Sequence, residues 1–241
     1  RSYLQSLPCH LFEMDLSNQD GLTRAFQKHL QENGGFDYII HNAGLTQNKR
    51  NKSFQDVNYK LTQHLVNALL KSGNIPRRLI YTSSISASGP ASLQANGMLD
   101  SKTKDQPVTP YGKSKKQAEQ FLLNTRIPVI IFRVPPVYGP GEKNMLPIFR
   151  AVQRGLRPTL GLREQRLSMI YVKDLAGFFM HALETPHTNR IYYVSDGENY
   201  PQARVPTAIA KAMGKRTLRM RIPLWIVRTL VAFNTVKAAV T

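Results

Sequence analysis

Short apolar runs alternate with segments of helical periodicity along most of this chain. Such alternation is typical of β-α-β units, in which crossover helices join the strands of a parallel sheet. We predict strands at residues 10–13, 38–41, 78–83 and 129–133, and helices at 17–31, 53–71 and 110–123. The pattern therefore predicts an α/β fold built on a doubly wound parallel sheet.

The pattern loosens after residue 140, and we divide the chain there. Residues 1–140 hold most of the predicted sheet, whereas 141–241 are expected to form mainly a smaller, substrate-facing lobe with returning sheet elements. In this second part we predict helices near 147–154 and 172–183 and strands near 168–171 and 190–194. A chain of 241 residues is long enough for one substantial core with such an addition.

The charge balance is strongly basic, with 33 Lys and Arg against 15 Asp and Glu and a formal charge of +18. A surface of this sign attracts polyanions such as nucleic acid, anionic lipid or a phosphate-bearing ligand. The basic residues are scattered, and no nucleic-acid-binding motif accompanies them. We therefore favour a solvated basic surface, and keep nucleic acid or an anionic membrane surface as the alternative partner.

Cysteine usage and hydropathy bear on location. Cys9 is the single cysteine, which excludes an intrachain disulfide and a cysteine-based metal site, and no metal centre is expected. A reducing, cytoplasmic compartment fits best. The apolar stretch 222–240 is interrupted by Arg228 and Lys237, which argues against a membrane span. Packing on its own domain is favoured for this stretch, and association with a membrane surface is the alternative.

Polar and glycine-rich segments follow the predicted strands. In an open parallel sheet, ligands bind outside the carboxyl ends of the strands. Taken singly, each segment could be ordinary turn chemistry, but their occurrence together in this order favours a ligand site. The candidate contacts are Asp15 and Leu16, Asn42, Ala43 and Gly44, Ser83 and Ser84, and Val134, Pro135 and Pro136.

Tyr111 and Lys115 lie four residues apart on the predicted helix 110–123. Residues at this spacing share one helical face, so the phenol and the ammonium can point at the same place. A nearby cation favours the phenolate of a tyrosine, whose ordinary pKa is about 10. We therefore expect Lys115 to lower the pKa of Tyr111 and to make it a usable acid and base.

Taken together, these segments resemble the extended short-chain dehydrogenase/reductases, and more narrowly their epimerase, dehydratase and hydroxysteroid-dehydrogenase-like members. The resemblance implies a Rossmann-like fold and an NAD(P)-dependent enzyme, with NAD or NADP as cofactor. It implies oxidoreduction, epimerisation or dehydration at a hydroxyl or keto carbon of a nucleotide sugar, a sterol or a similar small molecule. The matching segments are 15–16, 41–44, 57–58, 81–84, 88–90, 111–115 with Glu119, 133–141 and 170–176.

The resemblance also implies roles for three catalytic residues. Tyr111 would be the general acid and base at the substrate oxygen, and Ser84 would hydrogen-bond the same oxygen. Lys115 would hold the ribose hydroxyls of the nicotinamide nucleotide.

Further contacts follow from the same resemblance. For Asp15 and Asn58, a turn and a buried hydrogen bond are the structural alternatives to contact with the cofactor. Asn144 and Arg166 stand where the substrate lobe of the family often contacts phosphate or sugar. The implied cofactor contacts are Asp15 and Leu16 beside the adenine, Asn42 to Gly44 along the pyrophosphate and ribose, Asn58 holding the strand ends, Ser83 on the nicotinamide side, and Val134 to Pro136 under its ring.

Two features depart from the family pattern. Val134 follows Arg133 where family members usually have proline, and the glycine-rich turn G-x-x-G-x-x-G is not found in the sequence. That turn supplies the backbone donors for the pyrophosphate. We therefore expect the Rossmann-like sheet to be N-terminally incomplete, and these 241 residues alone to bind dinucleotide weakly and to lack useful activity.

A second reading is a non-catalytic family member that uses its basic surface to bind nucleic acid, a membrane or a protein partner. The charge of +18 favours this reading, whereas the presence of Ser84, Tyr111 and Lys115 together argues against it. For the enzyme, the expected partner is a small-molecule substrate, and a homodimer is one option for its assembly.

Overall fold

The structure is a computed structural model that describes residues 7–46, 53–91, 98–161, 164–223 and 225. The chain divides into two compact units. The first unit comprises Arg1–Val134 and Phe178–Val194, and the second comprises Pro135–Gly177 and Ser195–Thr241. The boundary therefore follows Val134, six residues before the position at which we divided the sequence, and the chain returns to the first unit from Phe178 onwards.

Six helices and ten strands are defined within the described residues. The helices are α1 (Gln19–Asn33), α2 (Leu61–Ser72), α3 (Pro110–Leu123), α4 (Leu146–Gln153), α5 (Val172–Glu184) and α6 (Arg204–Ala212), with a π-helical turn at Gln55–Lys60 and a 3-10 turn at Ile85–Ala87. The strands are β1 (Tyr38–His41), β2 (Arg78–Ser84), β3 (Val129–Val134), β4 (Val137–Tyr138), β5 (Leu156–Leu160), β6 (Arg166–Leu167), β7 (Ile170–Tyr171), β8 (Arg190–Tyr193), β9 (Tyr200–Pro201) and β10 (Leu218–Ile222).

The first unit is built on a four-stranded sheet in the order β1-β2-β3-β8, and every neighbouring pair is parallel. Tyr81 pairs with His41, and Ser84 pairs with Val134. Because the strands are parallel, their carboxyl ends lie at one edge of the sheet, where α/β proteins bind ligands. The predicted α/β class with a parallel sheet is confirmed.

Apolar residues on alternate positions of the strands pack on both faces of this sheet. On one face, Leu79 and Tyr81 join a buried cluster with Leu22 and Phe26 of α1, Leu69 of α2 and Leu122 of α3. On the other face, the ring of Phe132 contacts the rings of Phe178 and Phe179 in α5. The two central strands, β2 and β3, are buried almost completely, and β3 is accordingly apolar except for Arg133.

Three of the four strands predicted for residues 1–140 form with bounds within one residue of the prediction, but the strand predicted at 10–13 does not form. A strand needs a neighbour to hydrogen-bond its backbone, and no described strand pairs with this segment. Leu11 and Phe12 are 52% and 69% exposed, although Phe12 contacts the ring of His29 edge-on. Hydrophobicity alone therefore gave the wrong prediction here.

The helices differ from prediction mainly at their starts. The first begins after Asn18, whose side chain accepts a hydrogen bond from the Gly21 amide at 2.9 Å, and it ends at Gly34, as glycine in the left-handed region allows. The predicted helix 53–71 contains the π-helical turn Gln55–Lys60 before α2. Single π-helical turns inside helices are frequent at functional sites.

The second unit contains three two-stranded pairings and a small core. β5 pairs with β10 and β4 with β7 in parallel, whereas β6 and β9 are antiparallel. Helices α4 and α6 pack through Val152, Ile209 and Ala210. Within the ranges that the structure describes, no helix is long and apolar enough to cross a membrane. The apolar stretch 222–240 lies almost entirely outside the described residues.

Candidate active site

The first turn of α3 positions Tyr111. Thr109 caps the helix, with its hydroxyl accepting a hydrogen bond from the Gly112 amide at 3.0 Å, and Pro110 occupies the first helical position. Gly112 packs against the 3-10 turn after β2, where a β-carbon would lie 2.2 Å from the carbonyl oxygen of Ser86. Only glycine fits at this distance, so the close approach brings the Tyr111 ring to the end of β2.

Burial raises the pKa of Tyr111, and the hydroxyl of Ser84, the last residue of β2, opposes this shift by favouring the phenolate. The expected lowering of this pKa by Lys115 is thus not found, because desolvation of the phenolate dominates. Tyr111 is accordingly protonated at neutral pH, as a proton donor to a carbonyl oxygen must be.

Lys115 lies one turn further along α3 and is buried. Its ammonium donates to the carbonyl oxygen of Thr82 at 2.8 Å and lies 4.7 Å from the ring centroid of Tyr81. Burial lowers the pKa of Lys115 to about 8, against the opposing effect of Glu119. The ammonium is thus held on a backbone carbonyl, and the pKa of Tyr111 is set by burial and by Ser84.

Asn58 connects the loop after β1 to α3. Its side-chain oxygen accepts from the Leu45 amide at 2.7 Å, while its nitrogen donates to the Leu45 carbonyl and to the Ser114 hydroxyl, both at 3.1 Å. The side chain is fully buried within the π-helical turn. These contacts match the structural alternative stated for Asn58 and hold the 42–46 loop beside the Lys115 ammonium.

The exposed loop Asn42–Gly44 approaches α3 at Gly44. A β-carbon on Gly44 would lie 3.1 Å from the Asn58 side-chain oxygen and 3.2 Å from the Lys115 ammonium nitrogen. Backbone groups and an ammonium gathered at the carboxyl edge of a parallel sheet are suited to ribose hydroxyls and phosphates. The residues present on this edge therefore fit a dinucleotide cofactor.

Ser83 has a different partner from Ser84. Its hydroxyl donates to Glu119 at 2.6 Å, inside the first unit, so the predicted contact with nicotinamide stays a prediction. Glu119 also receives two hydrogen bonds from the guanidinium of Arg133, at 3.0 and 2.6 Å. Glu119 and Arg133 are buried, so this bidentate pair fixes α3 against β3.

A further part of this network was not predicted from the sequence. The Arg133 guanidinium donates to Asp105 at 2.6 and 2.8 Å, and to the hydroxyls of Ser88 and Tyr193 at 2.8 Å. Lys116 also pairs with Asp105. An arginine within a strand that is otherwise apolar is the signal that could have revealed a buried partner, since such a charge requires one. The identity of Asp105 required the tertiary structure.

His41, at the end of β1, is another buried polar residue beside the site. Its Nε2 lies 2.8 Å from the Thr62 hydroxyl. Burial and the Lys115 charge lower the pKa of His41 to about 4, so the imidazole is neutral at physiological pH. Its part is therefore structural packing against the Tyr81 ring.

The other predicted cofactor contacts have mixed environments. Asp15 accepts hydrogen bonds from the Ser17 amide and hydroxyl at 2.9 and 2.7 Å, which is the turn stated as its alternative. Leu16 packs on the core of the first unit. Val134 is buried at the end of β3, Pro135 is buried and Pro136 is exposed. Contact of these residues with a cofactor stays a prediction.

The two predicted substrate contacts lie in the second unit and are exposed. The Asn144 amide donates to the carboxylate of Glu142. Arg166 donates to the Asn199 carbonyl at 2.7 Å and lies 3.6 Å from Glu164. The predicted binding of phosphate or sugar by Asn144 and Arg166 therefore stays a prediction.

Comparison with known proteins identifies the family. The model of the NAD dependent epimerase/dehydratase family matches residues 1–195, which is most of the chain. The chain therefore belongs to the NAD dependent epimerase/dehydratase family, and the predicted resemblance to extended short-chain dehydrogenase/reductases is confirmed.

Relatives and solved structures agree with this assignment. The chain is 29% identical to the UDP-glucose 4-epimerase of Vibrio cholerae over 71% of its length and 54% of the epimerase. It is 26% identical to the decarboxylating sterol-4-alpha-carboxylate 3-dehydrogenase of Dictyostelium discoideum, over 90% of the chain and 67% of that enzyme. The dTDP-glucose 4,6-dehydratase of Bacillus anthracis in complex with NAD has the same fold, with a TM-score of 0.75 at 20% identity over 92% of this chain and 70% of the dehydratase. The chain thus spans about half the length of the Vibrio epimerase.

Proposed function

We propose that the protein is an NAD(P)-dependent oxidoreductase of the epimerase/dehydratase type, acting at a hydroxyl or keto carbon through Ser84, Tyr111 and Lys115. The observation that carries this proposal is the position of Tyr111 in the first turn of α3, where the close contact of Gly112 with Ser86 brings it beside Ser84 at the carboxyl edge of the sheet, with Lys115 on the same helix. A protonated phenol paired with a hydroxyl is a suitable donor set for one substrate oxygen.

In this mechanism Tyr111 moves the proton. During reduction, the phenol gives its proton to the carbonyl oxygen as the carbon gains a hydride, and Ser84 hydrogen-bonds the developing oxyanion. In the reverse direction, oxidation, the phenolate left by that proton transfer takes the proton of the hydroxyl back. A bound nicotinamide would supply or accept the hydride. Lys115 would hold the ribose hydroxyls, together with the backbone of the loop Asn42–Gly44.

The substrate class proposed here is a nucleotide sugar, a sterol or a similar small molecule. Family membership and the names of the Vibrio and Dictyostelium relatives support this range. We also propose a reducing, cytoplasmic location, on the basis of the single Cys9.

The substitution Tyr111→Phe in the full-length protein tests this proposal. It removes the proton donor but leaves the ring, so turnover should fall by about 10²–10⁴ while cofactor affinity changes little. Tyr38→Phe is the matched control, since Tyr38 is an exposed residue of β1. Turnover by the Tyr111→Phe protein within a few-fold of the parent would contradict the assigned role.

A further inference from the structure

A pocket of about 470 Å³ lies entirely within the second unit. Small-molecule sites commonly have volumes of about 300–1,000 Å³. Most of its lining is apolar, and the principal side chains are Met145, Phe149, Met169, Val205, Ala208 and Ile209. Two methionines allow the wall to adapt its shape to a hydrocarbon ligand. Phe149 is 42% exposed, so a ligand in the pocket would remove further apolar surface from water.

Three polar side chains in the lining, Tyr200, Arg204 and Glu142, have contacts within this unit. The Tyr200 hydroxyl donates to Asp196 at 2.7 Å, and the Arg204 guanidinium stacks 4.8 Å from the Tyr200 ring centroid. The Glu142 carboxylate accepts a hydrogen bond from the Asn144 amide. Tyr200 and Glu142 are thus engaged within the unit, and the Tyr138 hydroxyl and the Arg204 guanidinium are the donors in the lining for a polar group of the ligand.

The charge of the lining does not suit a diphosphate. One cation, Arg204, is balanced by one anion, Glu142. Recognition of phosphate groups normally uses several cationic or backbone donors, often as bidentate arginine contacts. Arg166, the residue predicted to contact phosphate or sugar, does not line this pocket, and its guanidinium engages Asn199 and Glu164.

We propose that this pocket binds an uncharged, mainly hydrocarbon small molecule such as an alcohol or ketone. The inference rests on the lining of the pocket and on its charge balance, both within the second unit, and does not depend on the function proposed above.

The test is fluorescence titration of the full-length protein with Nile red, an uncharged apolar dye. The dye should bind saturably at one site per chain, and progesterone, an uncharged apolar ketone, should displace it, whereas UDP should not. Ala208→Asp places a carboxylate in the pocket wall at an exposed helical position, so folding is retained. Dye affinity should fall by about tenfold or more, because the charge must be desolvated beside the ligand.

Ala212→Asp is the matched control, because Ala212 is exposed on the same helix but does not line the pocket. This variant should bind the dye like the parent. Displacement by UDP, equal effects of the two aspartates, or no saturable binding would each overturn the proposal. Tyr111→Phe should also leave dye binding unchanged, so failure of the catalytic proposal is distinguishable from failure of this one.

Discussion

Two adjacent serines of the candidate site, Ser83 and Ser84, interact with different residues, and their positions in the sequence do not reveal which. Ser83 donates to Glu119 in a buried network, whereas the hydroxyl of Ser84, one residue later, influences the pKa of Tyr111. Successive side chains of a strand point to opposite faces, so only one serine of such a pair can face Tyr111. Lys115 likewise meets the Thr82 carbonyl, and its main electrostatic perturbation is its own burial.

The ammonium of Lys115 should titrate with a pKa of about 8 in the cofactor-free protein. The cause is burial, which disfavours the charged form. NMR of protein with ¹³C-dimethylated lysines would measure this value, and the resonance is assigned by its loss in Lys115→Met. The exposed neighbour Lys113, replaced in the same way, should leave that resonance in place. A midpoint at the ordinary value of 10.5 would contradict the buried environment.

At the scale of elements, the contact between α3 and the Ile85–Ala87 turn positions the site. The space at Gly112 is set by the Ser86 carbonyl, and the cap at Thr109 sets where the helix begins. The π-helical turn performs a similar task at Asn58, which reaches both the 42–46 loop and α3. Tyr111 is therefore placed by backbone packing as well as by its position in the sequence.

Gly112→Ala should lower the free energy of unfolding by about 1–3 kcal/mol and should also reduce turnover. The added methyl collides with the Ser86 carbonyl, so α3 must shift and move Tyr111 away from Ser84. Urea denaturation and steady-state kinetics measure the two effects. Gly177→Ala is the control, because a methyl on this helical glycine meets nothing within 4 Å, and stability should be equal or greater. Unchanged stability and turnover in Gly112→Ala would contradict this prediction, because they would show that the Ile85–Ala87 turn accommodates the added methyl group at little energetic cost.

At the scale of the whole first unit, the network around Arg133 joins elements that are distant in sequence. Arg133 on β3 contacts Glu119 on α3, Tyr193 on β8, Ser88 after β2 and Asp105. Removing one partner from such a buried network leaves an uncompensated charge, which is costly. The network therefore fixes the helix that carries Tyr111 and Lys115 to the sheet.

This network should make stability depend on pH in the acid range. Burial alone would raise the pKa of Asp105, but hydrogen bonds from Arg133 and Lys116 outweigh burial and lower it below the ordinary 3.8. The folded carboxyl thus binds protons less readily than the unfolded one. Its stabilising contribution is present above pH 3.8 and is lost as the pH falls below this value, through the folded pKa.

Asp105→Asn should therefore lower the melting temperature at neutral pH, with the difference from the parent shrinking below pH 3.8. Thermal unfolding followed by circular dichroism across this range provides the measurement. Asp37→Asn is the matched control, since its 3.3 Å pair with Arg77 is exposed and should contribute little. Equal losses in both variants at neutral pH would indicate that the network contributes no more than a surface pair.

The sequence by itself determined the α/β class, the parallel order implied by alternating elements, and strands β1, β2 and β3 to within one residue. It also indicated Ser84, Tyr111 and Lys115 as candidates. Period and apolar content suffice for the fold class and the strands, because each is a local property that burial of a sheet or a helix face imposes on the residues nearby. The three site candidates depended in addition on the resemblance of the spaced motifs to a known family.

Only the tertiary structure decided which residues meet. Residues 10–13 have the apolar content of a strand, but pairing depends on a neighbour rather than on the segment itself. Asp105 lies 28 residues before Arg133, in a segment without regular structure, so no periodicity links the two. The spacing between Tyr111 and Lys115 predicted a lowered pKa for Tyr111, but the structure gives a raised one. Desolvation depends on every group that packs around the phenol, whereas the spacing describes only one helix.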